Sequence, residues 1–125
     1  MNRNLRIEVA VLRPDWYHQA SDQRDRAHWH ASKAEEHSLL GAQARVEAHR
    51  QVSETHASAA FSYDRASRCA ADHHDTYAQD HAKRADELHA RAQALAEHAG
   101  LETYPDDLKN TLGASHGEGP KVGGF

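Results

Sequence analysis

Twelve histidines stand out among the 125 residues, at positions 18, 28, 30, 37, 49, 56, 73, 74, 81, 89, 98 and 116. Imidazole titrates near pH 6.5 and is the commonest metal ligand. Twelve added protons would carry the formal net charge from −4 to +8. Two histidines on one helix can share a metal ion when they lie three or four residues apart, and no two of the twelve have that spacing. Three pairs are seven apart, His30/His37, His49/His56 and His74/His81. Seven residues span about 10.5 Å of helix, too far for one ion. A metal would need ligands from two helical arms; folded back on itself the chain would bring His37 near His81 and His30 near His89, and one such pair with Glu36 or another chain's residue could hold zinc or nickel weakly. No specific metal site and no other cofactor is expected. Paired histidines between helices would instead make stability depend on pH, because imidazolium cations repel.

Other chemistry has little to work with. The single cysteine, Cys69, excludes an intrachain disulfide framework and a cysteine-based zinc knuckle. Its i,i+4 neighbour His73 allows a thiolate–imidazole contact, but a small helical residue beside a surface histidine is the simpler reading. There is no glycine-rich phosphate loop, no H-E-x-x-H and no G-x-S-x-G, so an enzyme is not expected. Fifteen basic against nineteen acidic residues, with pairs such as Asp22/Arg26, Asp80/Arg84 and Glu87/Arg91, describe solvated helix faces and do not support nucleic-acid binding. No run of about 18 apolar residues suggests a membrane span. No apolar segment after the start suggests a secretory signal, which points to a cytoplasmic or virion location.

The elements that must position these histidines are mainly helical. Asp15 to Ala99 contains no proline and one glycine, Gly41, and is dominated by Ala, Arg, Glu, Gln and Leu, all good helix formers. Pro14 and Asp15 suit a helix start, while Gly100 followed by Leu101 suits a helix end. Small residues recur every seven positions in two tracks. The first is Ala20, Ala27, Ala34, Gly41 and Ala48, and the second is Ala71, Ala78, Ala85, Ala92 and Ala99. The tracks are out of phase by two residues, which a continuous coiled coil does not absorb. The expected fold is therefore a long antiparallel hairpin of two helices, about 15–53 and 63–99, with an Ala-rich seam. Ala20 would oppose Ala99, Gly41 would oppose Ala78, and the bend would fall near residues 59–60. Ser62 and Asp64 are the candidate N-caps of the returning helix.

Three further pieces complete the chain. Residues 5–12 alternate, with Leu5, Ile7, Val9 and Val11 on one face of a β-strand. Residues 101–112 hold a short helix started by Pro105, with Leu101, Tyr104, Leu108 and Leu112 as its apolar face. Residues 113–125 form a Gly-rich tail ending in Val122 and Phe125, so the domain is 1–112 and the tail 113–125. The aromatic residues Trp16, Tyr17 and Trp29 are expected to pack on the strand and on the 101–112 segment.

The aliphatic inventory is thin: 9 Leu, 5 Val, 1 Ile and 2 Phe beside 23 Ala. A strand without a partner strand, a seam of methyl groups and an apolar tail without a local core are all satisfied if other chains complete them. The expected function is a non-enzymatic structural or assembly protein. It would form a homo-oligomer or join a larger protein assembly, with Leu5, Ile7, Val9, Val11, Gly41, Ala78, Val122 and Phe125 at interfaces. The size and the alanine- and arginine-rich composition fit a small phage virion part, such as a head–tail connector or capsid accessory protein. The alternatives are a His-rich bundle that binds a metal or senses pH, and a small host-interaction or inhibitor protein.

Overall fold

The computed structural model describes residues 15–108. Three long helices occupy most of that span: α1 (Trp16–Leu39), α2 (Gln43–Ala71) and α3 (Asp75–His98). They run up, down and up, so α2 packs antiparallel against both α1 and α3. A single helical turn at 105–108 follows α3. No strand occurs among the described residues. The expected strand with Leu5, Ile7, Val9 and Val11 lies outside them, as do the tail residues Val122 and Phe125.

The chain therefore turns twice, where the sequence reading expected one bend. Gly41 is the reason. Its φ of 75° is left-handed, a conformation that glycine adopts without a Cβ penalty. It is the C′ residue of α1, not a seam residue, and nothing lies within 4 Å of where its Cβ would stand. The amide of Gly41 donates to Ser38 O and that of Ala42 to His37 O, which is the paired hydrogen bonding of a Schellman ending. Gly100 (φ 63°) ends α3 in the same way, its amide donating to Glu97 O and that of Leu101 to Ala96 O. The second turn uses the same geometry without a glycine. His73 takes φ 64°, donating to Ala70 O, while His74 donates to Cys69 O. The bend expected near 59–60 falls in the middle of α2, where Ser62 is buried in the helix interior and caps nothing. At the other end, the Asp15 side chain accepts from the His18 amide and caps α1.

The heptad tracks are buried in part and pair differently: Gly41, Ala71 and Ala99 are exposed and Ala48 is half-buried. Ala20, Ala27 and Ala34 of α1 and Ala78, Ala85 and Ala92 of α3 are all buried. Since α1 and α3 run parallel, Ala20 meets Ala85, together with Tyr63 of α2, and does not oppose Ala99. Trp16 packs on this cluster. Alanine seams let helices approach closely but bury little area per residue. Val46 and Val52 are the only aliphatics larger than alanine in the buried core of the described residues. The rest of the interior volume is filled by polar side chains.

Candidate functional site

Three of those six buried polar side chains are imidazoles. His30, His49 and His56 are 3%, 0% and 1% exposed, burial that is unusual for a titratable group. Their placement follows from the heptad spacing on antiparallel helices. His30 and His37 lie two turns apart on one face of α1, and His49 and His56 do so on α2. The antiparallel register sets His37 against His49 and His30 against His56. Ring centroids continue as a file of five: His37 to His49 5.3 Å, His49 to His30 5.2 Å, His30 to His56 5.7 Å and His56 to His89 of α3 5.5 Å. The His37/His49 and His30/His56 rings lie nearly parallel, at 13° and 15°. Trp29 closes one side edge-on to His30 and His49, and also meets Tyr104.

Hydrogen bonds divide the file into two halves. At one end, Glu102 accepts from both outer imidazoles, 2.9 Å from His37 Nε2 and 3.0 Å from His49 Nε2. His49 Nδ1 lies 2.9 Å from His30 Nδ1. At the other end Gln23 joins the rings, its Oε1 accepting from His56 Nδ1 at 2.7 Å and its Nε2 donating to His89 Nδ1 at 2.9 Å. The halves meet at His30 and His56 by ring stacking. Among the described residues, no buried side-chain nitrogen or oxygen lacks a hydrogen-bond partner, as a polar core requires.

A second buried group braces the file. Arg26 is 7% exposed. It makes a bidentate pair with Asp107 at 2.8 Å for each contact, and its Nε donates to Asp22 at 2.9 Å. Asp22/Arg26, expected on a solvated face, is thus partly interior. The pair also pins the turn at 105–108 against α1, and Arg26 lies over the Tyr104 ring at 4.7 Å.

The electrostatics follow from this burial. Desolvation and the neighbouring His89, His30 and Arg26 push His56 down to about 3, against a weaker opposing pull from Asp107. Desolvation, then His49 and Arg26, push His30 down to about 4. His89 is lowered by desolvation and then Arg26, opposed by Asp22, Asp107 and Asp86. His49 is lowered by desolvation, with Glu102 acting against it. Burial alone would raise the Glu102 carboxyl, but a backbone hydrogen bond and those from His37 and His49 hold it well below the usual carboxylate range.

The structure does not bring His37 to His81. His37 meets His49 and Glu102, whereas His81 borders a groove between α2 and α3 beside Phe61, Ser62, Arg65, Arg84 and Leu88. Ala78 is buried on α3, but its expected partner Gly41 sits in the α1–α2 turn. Sequence reasoning missed His30, His49, His56, His89, Gln23 and Glu102 as a group. The signal for three of them, His30, His49 and His56, was present, since the two seven-residue pairs on α1 and α2 interlock once Gly41 is taken as a turn. Gln23 and Glu102 carry no such signal. No described helix is long and apolar enough to cross a membrane. The chain matches no protein-family model, no curated protein and no solved structure.

Proposed function

We propose that the chain is a structural helical bundle whose integrity depends on pH, folded tightly at neutral pH and loosened by acid, with the His56–Gln23–His89 half of the file as the responsive element. One observation carries this reading: His56 is 1% exposed, and the carboxylate that faces it among the described residues is already engaged by Arg26. From α1 it faces Gln23, His30 and Arg26; from α3, His89; and from the 101–108 segment, Asp107, whose carboxylate already binds Arg26. His89 faces Gln23, Arg26 and Asp22 of α1, His56 of α2, Asp107, and Asp86 of its own helix. A proton on His56 adds a cation beside a buried guanidinium. Folded chains release that cost by opening.

Such a bundle suits an assembly part, joining copies of itself or a larger particle in a cytoplasmic or virion setting. Leu39 and Leu40 at the α1–α2 turn, Phe61 on α2 and Tyr77 on α3 are 63–88% exposed, and these are surfaces an assembly would cover. Circular dichroism and light scattering recorded together from pH 8 to pH 5 test the proposal. The expected result is a mass above 13.9 kDa at pH 8, with helicity and mass both falling toward pH 5. Unchanged helicity across that range would refute the pH dependence, and a monomer at pH 8 would refute the assembly role.

A further inference from the structure

We infer that His37, His49 and Glu102 form a binding site for one borderline divalent transition-metal ion, of which zinc is the type. The three residues come from three separate elements: the last turn of α1, the second turn of α2 and the segment after α3. One ligand atom from each lies within 4.8 Å of the others. Both Nε2 atoms already point at the same carboxylate, at 2.9 and 3.0 Å. Tetrahedral zinc with bonds of 2.0–2.1 Å needs ligand atoms roughly 3.3 Å apart. The two short contacts go to different oxygens of Glu102, Oε2 and Oε1, so a single ligand oxygen opens slightly from one imidazole, while the wider spacings, up to 4.8 Å, have to close by side-chain rotation.

The donor set selects the class of ion. Two imidazole nitrogens and one carboxylate oxygen suit zinc, nickel, cobalt or copper, and are too poor in oxygen for calcium or magnesium. Three protein ligands leave a fourth position for water. Access is open on one side, because the Glu102 side chain is 40% exposed while His49 is wholly enclosed. The ion would also sit by the C-terminal turn of α1, where the helix dipole favours a cation. Arg45 is an opposing charge at the site, with Nη1 3.6 Å from Glu102 Oε1.

The buried neighbour completes the arrangement. Glu102 is an acceptor only, so without metal His49 carries its proton on Nε2. Its bare Nδ1 then accepts from His30 Nδ1–H, at 2.9 Å. Metal on Nε2 needs that lone pair, so the His49 proton sits on Nδ1 and the bond to His30 reverses. His30 is thus a positioning residue: it holds the His49 ring from behind and takes either role, as second-shell partners of ligating histidines do. The switch leaves both rings neutral. Metal would also tie the 101–108 segment to the α1–α2 pair, adding stability by mass action.

Calorimetric titration of the full chain with zinc chloride at pH 7.5 tests the site, with binding by the other histidines separated by variants. One site per chain is expected to bind at least tenfold more tightly than the remainder. His37→Gln and Glu102→Gln should each weaken it tenfold or more, with circular dichroism showing both still helical. His73→Gln/His74→Gln, on the exposed second turn, should leave it unchanged. Arg45→Gln should tighten it. Nitrogen-15 spectra of the imidazoles should show His49 pass from the Nε2–H to the Nδ1–H form on adding one equivalent of zinc. Equal affinity in wild type and Glu102→Gln, or loss of the tight site only in the His73/His74 variant, would overturn the assignment. So would a His49 tautomer unmoved by zinc.

Discussion

Replacing His56 isolates the pH response in a single residue. The folded imidazole is pushed from an ordinary 6.5 down to about 3. Above pH 6.5 both folded and unfolded chains hold this ring neutral, and its contribution is constant. As pH falls below 6.5 the unfolded chain binds a proton that the folded chain refuses, so stability drops until about pH 3 and then levels. The loss runs at about 1.4 kcal/mol per pH unit, which gives about 2 kcal/mol by pH 5 from His56 alone. Glu102 and Asp107 are held below the usual carboxylate range, so their own stability losses begin only as pH nears 4.5, and the window from pH 7.5 to 5 belongs to imidazoles. His56→Gln keeps an N–H donor for Gln23 and removes the titration. Urea unfolding of both proteins at pH 7.5, 6.5, 5.5 and 5.0 should show the wild type losing about 2 kcal/mol more than the variant across the range, at unchanged m-value. His89→Gln, at a half-buried site, should flatten the profile in the same direction by less. Parallel profiles for the wild type and both variants would refute the reasoning.

The second turn should be improvable. His73 holds a left-handed φ that glycine takes freely, so His73→Gly is expected to raise stability by about 1 kcal/mol, read as a higher melting temperature. Gly41→Ala should lower it by about 1 kcal/mol through backbone strain alone, since the space for its Cβ is open. Asp107→Asn leaves Arg26 with one carboxylate in a nearly buried position, and should cost about 2–4 kcal/mol in chemical denaturation. Ala85→Leu inserts three carbons between Ala20 and Tyr63 and should cost about 1–3 kcal/mol through overpacking.

The helical class, the Asp15 start and the Gly100–Leu101 ending were legible because each depends on local chemistry that the chain carries at that point. Three consecutive alanines of each heptad track, Ala20, Ala27 and Ala34 and Ala78, Ala85 and Ala92, were legible as buried faces. Their partners were not, because alanine fits opposite any small residue and so does not fix register. The histidines do fix it, but isolated imidazoles prefer water, and the file of neighbours that makes their burial tolerable does not exist in a two-helix hairpin. The turn at His73 was invisible for a plainer reason: a histidine in the left-handed region leaves no glycine to mark it. Gly41 did mark a turn, but its fit to the alanine track disguised it as a seam residue. Arg26 looked solvated because its i,i+4 partner Asp22 was visible in the sequence and Asp107, eighty-one residues away, was not.

The central claim is that the bundle interior keeps His56 neutral at pH values where a free imidazole is charged. Nuclear magnetic resonance reads this directly from the His56 ring carbon and nitrogen shifts between pH 8 and the onset of unfolding. The account predicts no inflection for His56 above pH 5, with its proton fixed on Nδ1 toward Gln23. A His56 titration near pH 6.5 in the folded protein would contradict it.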